Sequence, residues 1–282
     1  MPGGVGGARA SLAPTRFDVG GGRKPGQSAR PRGPGASRCS YRHPFAGETA
    51  TAASNVNSRS PSAACAPPLH HAEVGAACDD RKVKDLVRVV SELVASHPAV
   101  RDVELAGSRS RGTHEELSDW DFAVTTSDFE YVARDLPTLV APLRPLGEQW
   151  EPMGHFPVFQ VLLRGPTKIE YLFLDHSQEP LPAPEPGPET LAAIDMHFWD
   201  WIWWIATKAF VGRDNLVAQH LSQLSEHLLR PMGVTNPPGD IDAAITTFVD
   251  RRDQIERKYG VKVPRALEDE VRRGVRRLGL TT

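Results

Sequence analysis

At 282 residues, 40% hydrophobic and 24% charged with a formal net charge of -2, the chain is long enough for one or two domains with substantial cores. The near-balanced charge argues against a protein built to coat nucleic acid, and no apolar run reaches the roughly 20 residues that a membrane span needs. Cys39, Cys65 and Cys78 show no C-x-x-C spacing, so no disulfide framework or zinc site is expected, and a reducing cytoplasm is the expected compartment.

Residues 1–77 are dense in Gly, Pro, Ala, Ser and Arg and lack sustained apolar periodicity, which predicts a disordered extension. Its arginines fit a transit-like leader or a nucleic-acid arm, but a non-functional extension from an over-called translation start is the simpler account. Order is expected from about Asp79. Val83, Leu86, Val87, Val90, Leu93 and Val94 recur at three- and four-residue spacing, the pattern of an amphipathic helix from Asp80 to Ala95 that His97-Pro98 ends. A strand from Val103 to Ala106 follows, and a second helix is expected from Ser127 to Leu136, stopped by Pro137. Two further strands, Pro157 to Leu163 and Lys168 to Leu174, are separated by Arg164-Gly165-Pro166-Thr167 and read as a hairpin. A proline-rich connector, D-H-S-Q-E-P-L-P-A-P-E-P-G-P-E, precedes four expected helices: Thr190 to Phe210, Asp214 to Leu229, Asp240 to Tyr259 and Arg265 to Leu278.

The chemistry concentrates in V-E-L-A-G-S-R-S-R-G-T-H-E-E-L-S-D-W-D-F-A-V-T, Val103 to Thr125. An apolar run enters, Gly107-Ser108 turns it, and Asp119 and Asp121 stand at the head of a second apolar run. Alternation along a strand puts both carboxylates on one face and Trp120 on the other. Two same-face carboxylates repel unless a cation lies between them, and a hard divalent ion such as Mg²⁺ with oxygen ligands is the economical choice. Glu170 is an acid inside the apolar run of a later strand and completes a three-acid set. Gly107 permits a close approach of backbone to phosphate, and Ser108 offers a hydroxyl and an N–H. His114, His155, His176 and His197 form no transition-metal spacing.

The Gly-Ser followed by a spaced Asp-x-Asp, with a third acid in K-I-E-Y-L-F-L, resembles the nucleotidyltransferase superfamily typified by DNA polymerase beta. The stretch D-M-H-F-W-D-W-I-W-W-I-A-T-K-A-F-V-G-R-D-N-L further resembles bacterial aminoglycoside and lincosamide nucleotidyltransferases, over about Asp80 to Leu229. The resemblance implies Mg²⁺-dependent transfer of a nucleoside monophosphate, usually AMP from ATP, to a hydroxyl of a small acceptor. It assigns Asp119, Asp121 and Glu170 to catalysis, Asp119 and Asp121 as metal ligands and Glu170 as metal ligand, general base or both. Gly107, Ser108 and Lys208 fall to nucleotide phosphates by the same resemblance, and Arg109, a cation in the same loop, is a further candidate for phosphate. A nucleoside triphosphate and a small hydroxylated acceptor are the expected partners; neither nucleic acid nor membrane is. A transferase that nucleotidylates a protein or tRNA, and a non-catalytic nucleotide-binding module, are the alternatives.

The expected fold is α+β. A mixed-sheet nucleotidyltransferase domain (78–176) precedes a proline-rich linker (177–189) and an all-helical C-terminal domain (190–282), behind the disordered extension. Trp199, Trp201, Trp203 and Trp204 surround their helix, so some pack the bundle and others meet the cleft. Asp195 and Asp200, on the same helix, are expected to face a cationic acceptor.

Overall fold

The computed structural model describes residues 80–280, with side chains from Asp85 onward. The expected extension over residues 1–77 and all three cysteines lie outside the described residues. Among the described residues, no helix is long and apolar enough to cross a membrane.

The N-terminal half is a five-stranded mixed sheet. Helix α1 (Asp80–Ala95) leads into β1 (Val100–Leu105), and a four-residue turn of helix, α2 (Gly107–Ser110), precedes β2 (Trp120–Thr126). Helix α3 (Phe129–Val140) is followed by β3 (Gly147–Trp150), β4 (Val158–Leu163) and β5 (Thr167–Leu172). The strand order is β1-β2-β5-β4-β3, with β2 and β5 parallel and every other pair antiparallel. That single parallel pairing brings the first acid-bearing strand beside the third acid.

The two faces of the sheet carry different chemistry. Trp120, Phe122, Ile169 and Tyr171 point to one face and form a closed apolar core with Val90 and Val94 of α1 and Val132 and Leu136 of α3. The other face presents Leu162 to helix α4 (Leu191–Phe210), whose residues are buried around most of its circumference. Three more helices, α5 (Asp214–Leu224, continued by a π-helical turn to Leu229), α6 (Ile241–Tyr259) and α7 (Ala266–Arg277), wrap α4. Phe198 stacks on Phe248 of α6 with ring centroids 3.7 Å apart, and Trp199, Trp201 and Trp203 are buried while Trp204 is half-buried.

Three features depart from the sequence expectation. Helix α3 does not stop at Pro137 but runs to Val140. The ring removes one intrahelical bond, yet Leu136 and Val140 on either side are fully buried, and their packing outweighs the lost bond. Strand β3 follows Pro142 and Pro145, between the expected helix and the expected hairpin, and has little strand character of its own. It is extended by pairing with the open edge of β4, and Trp150 packs on Phe159, Phe173 and Phe129. Finally, Asp195 is buried inside the bundle. Arg252, 1% exposed, donates from Nη1 to Asp195 Oδ1 at 2.9 Å and to Glu268 Oε2 at 2.6 Å, while Trp199 Nε1 donates to Asp195. Burial pushes the Asp195 carboxyl up to about 6 against the opposing pull of Arg252.

Removing the cation from that arrangement takes the guanidinium from the buried Asp195, while Glu268 keeps Arg272 at 2.9 Å. Arg252→Met is therefore expected to cost about 3–5 kcal/mol of stability, read by urea denaturation. A loss below about 1 kcal/mol would show that the three groups do not depend on one another.

Candidate active site

Leu105 ends β1, and the chain must reverse beside β2. Ala106 N donates to Asp121 O at 2.7 Å, so the turn begins against the strand that carries the acids. Gly107 then adopts a φ of 63°, in the left-handed region that a side chain disfavours. The requirement for glycine is also steric, because a Cβ at this position would collide with the carboxylate of Asp121. Asp121 and Gly107 are thus packed directly on each other, and the acid's place is set by the absence of a side chain opposite.

Arg109 shapes the far side of the same loop. Its Nε donates to the carbonyls of Ser118 and Asp119, both at 3.1 Å, and its Nη2 donates to Ser118 O at 2.7 Å and Glu116 O at 3.2 Å. The guanidinium also stacks over Trp120, 3.7 Å from the ring centroid. The arginine expected at phosphate is therefore holding the segment that delivers Asp119, in the planar, multidentate manner that guanidinium suits. Ser108 is half-buried and its carbonyl accepts from Thr113 N at 3.0 Å.

Register assembles the acids. Asp121 pairs with Glu170 across the parallel β2/β5 ladder, Glu170 with Gln160 across β5/β4, and Gln160 with Gln149 across β4/β3. Cross-strand partners share a face, so a polar row runs over four strands of an otherwise apolar sheet. The row is linked by hydrogen bonds: Gln149 Nε2 donates to Gln160 Oε1 at 2.9 Å, and Gln160 Nε2 donates to Glu170 Oε1 at 3.2 Å. Gln149 Nε2 also lies 3.1 Å from His197 Nδ1 of α4. Asp119 stands just ahead of β2 and keeps part of its surface open.

The electrostatics follow from crowding. Burial, and then the charges of Glu170 and Asp119, push the Asp121 carboxyl up to about 8; a hydrogen bond with Glu170 adds to this. Burial also pushes Asp119 up to about 6, with Lys168 opposing and Glu170 and Asp200 adding to the rise.

Sequence reasoning missed Lys168. Alternation along K-I-E places it on the face of Glu170, and that was the available signal. It is 5% exposed, and Nζ lies 2.9 Å from Glu170 Oε1. The same ammonium donates to Asp200 Oδ2 at 3.1 Å and lies 3.0 Å from Oδ1 as an ion pair without hydrogen-bond geometry. Asp200, expected to face an acceptor, is buried and faces Lys168. Burial works against the Lys168 ammonium, but Asp200 and Glu170 outweigh it and hold its proton more firmly than usual. Lys208, near the end of α4, is 4.0 Å from Glu115 Oε2 and lies over Trp204, with its charge reaching Asp119.

The donor set suits a hard divalent cation. Asp119 and Asp121 offer carboxylate oxygens whose mutual repulsion a cation relieves, and Glu170 adjoins them with one oxygen already held by Lys168 and Gln160. Among the described residues, no three His, Cys, Asp or Glu side chains form a ready ligand cage. The pair Asp119 and Asp121 is therefore the part of the predicted triad best placed to hold a metal, with Glu170 closing one side.

Residues 83–180 match the family model of the nucleotidyltransferase domain. No curated protein matches the chain. Among solved structures, the polymerase core of TRAMP, an RNA surveillance complex, aligns at 14% identity with a TM-score of 0.29 over 57% of this chain and 60% of that one. The chain thus spans less than two thirds of that structure. An aminoglycoside 6-adenyltransferase from Bacillus subtilis aligns at 9% identity with a TM-score of 0.26, over 70% of this chain and 98% of that one. At these scores neither assigns a substrate or a partner here.

If Gly107 seats Asp121, Gly107→Ala should weaken Mn²⁺ binding at least about tenfold in calorimetry, since ligand misplacement of this kind costs roughly 10- to 100-fold in affinity. For the unsubstituted protein, affinity should rise with pH from about 6 to about 8, because a cation displaces the protons that Asp119 and Asp121 hold below those values. Unchanged affinity in the variant would separate Gly107 from the site.

Proposed function

We propose that the nucleotidyltransferase domain formed by residues 83–180 catalyses Mg²⁺-dependent transfer of AMP from ATP to a hydroxyl of a small acceptor, with an aminoglycoside as the class to test first. The observation that carries this reading is the meeting of Asp121 and Glu170 across β2 and β5 beside Asp119, at the glycine turn of Gly107. A nucleotide triphosphate brings negative charge, and only a cation makes it compatible with that cluster. The choice of acceptor rests on the sequence pattern of α4, D-M-H-F-W-D-W-I-W-W-I-A-T-K-A-F.

In this reading Asp119 and Asp121 hold the Mg²⁺, which when bound supplies positive charge to the triphosphate and to the phosphorus under attack. Gly107 lets the backbone approach the phosphates, and the Ser108 N–H and hydroxyl donate to them. Lys208 leaves Glu115 to add a compact positive charge at the triphosphate. Glu170 accepts the proton of the acceptor hydroxyl. The hydroxyl oxygen bonds to the α-phosphorus, the bond from that phosphorus to the bridging oxygen breaks, and pyrophosphate departs with the electron pair. Arg109 acts at one remove, keeping Asp119 in place through the loop carbonyls.

The test is pyrophosphate release on incubation with Mg²⁺, each nucleoside triphosphate in turn and a panel of aminoglycosides and other hydroxylated acceptors. ATP should be the preferred donor, and Asp121→Asn should lose about 100- to 1000-fold in turnover, the scale of a group that stabilises transition-state charge. No pyrophosphate with any pair of substrates, or full activity in Asp121→Asn, would refute the assignment.

A further inference from the structure

The proposed reaction uses three acids, two elements of the glycine turn and Lys208, and it leaves Lys168 without a task. A buried ammonium is costly to desolvate and persists where carboxylates surround it. Lys168 meets two, and they come from different parts of the chain. Glu170 lies two residues away on β5, whereas Asp200 lies on α4, in the helical part. Lys168 is therefore the link that ties the third acid to the helices.

The geometry at Glu170 is specific. Lys168 Nζ at 2.9 Å and Gln160 Nε2 at 3.2 Å both engage Oε1, and Gln160 is in turn held by Gln149. Two donors on one oxygen, each anchored elsewhere, set the orientation of the carboxylate beside Asp121. On the far side, Asp200 engages the ammonium with both oxygens.

We propose that Lys168 is a positioning residue whose ammonium, clamped by Asp200, orients Glu170 for proton acceptance and occupies the place between Glu170 and Asp200 that a second divalent cation would otherwise take. The kinetic half of this inference rests on the proposed transfer reaction; the cation half does not.

The experiment compares unsubstituted protein with Lys168→Met, Lys168→Arg and Asp200→Asn, each shown to be folded by circular dichroism and thermal melting. Mn²⁺ alone is titrated by calorimetry, and steady-state kinetics are measured with the nucleotide and acceptor found active. In Lys168→Met, kcat should fall about 100-fold, the loss expected when a reacting group is displaced by about 1 Å, while KM for nucleotide stays within about threefold. Mn²⁺ should bind at least about tenfold tighter or with a second equivalent, because a positive charge has left the acid cluster. Lys168→Arg, which keeps the charge, should retain the Mn²⁺ affinity of the unsubstituted protein. A purely structural lysine would lower the melting temperature and move neither kcat nor Mn²⁺ affinity, and a folded Lys168→Met with both unchanged overturns the proposal. Should Lys168→Met fail to fold, Asp200→Asn decides: kcat about tenfold lower at constant KM supports the clamp, and unchanged kcat overturns it. Should the unsubstituted protein transfer no nucleotide, the reaction proposed above fails, while the Mn²⁺ titration still decides the role of Lys168.

Discussion

One requirement governs the junction between the sheet and α4: four carboxylates lie close together, those of Asp121, Glu170 and Asp200 buried and that of Asp119 partly open. Isolated buried charges of one sign are unfavourable by several kcal/mol each, so the arrangement stands with cations among them or with protons held on some of the carboxyls. The chain supplies one of these itself, the ammonium of Lys168 between Glu170 and Asp200. The remaining pair, Asp119 and Asp121, is left short of positive charge, and the raised positions of both carboxyls express that shortage. The same shortage makes the pair receptive to a divalent ion. Lys168 thus offsets one of the two negative charges on Glu170 and Asp200, and its field only partly offsets the crowding at Asp119 and Asp121.

The backbone serves that arrangement. The turn at Gly107 brings β1 against β2 so closely that Asp121 fills the space a side chain would occupy, and Arg109 binds the loop carbonyls that fix Asp119. The parallel pairing of β2 and β5 sets Glu170 beside Asp121, while the antiparallel pairs beyond it extend the row through Gln160 and Gln149 to α4. On the opposite face an unbroken apolar core with α1 and α3 keeps the sheet rigid beneath the site. The helical part contributes Asp200, Lys208 and His197 from a single helix, so small shifts of α4 act on several groups at once.

Much of this was legible in the residues. The D-W-D alternation and the acid within K-I-E-Y-L-F-L single out Asp121 and Glu170, which the β2/β5 register pairs, while Asp119 lies just ahead of β2, where strand alternation no longer applies. What escaped depends on partners distant in sequence. Lys168 is two residues from Glu170, yet its importance comes from Asp200, 32 positions on, and no local pattern announces that pairing. Asp195 and Asp200 read alike on one helix, but Arg252 draws the first into the bundle and Lys168 the second to the sheet. Arg109 offered a charge that suits phosphate, and only the closed loop reveals the carbonyls it satisfies. Pro137 and β3 show the same limit from the side of packing: tertiary burial carried a helix past a proline and drew a short polar segment into the sheet.

Anomalous diffraction from crystals grown with Mn²⁺ and a non-hydrolysable ATP analogue measures directly where a divalent cation and a nucleotide settle. A peak in contact with the carboxylates of both Asp119 and Asp121, with the analogue's phosphates at Gly107 and Ser108 and Lys168 still seated between Glu170 and Asp200, is the predicted result. A nucleotide bound elsewhere, or Mn²⁺ absent from Asp119 and Asp121 while the analogue is bound, would contradict it.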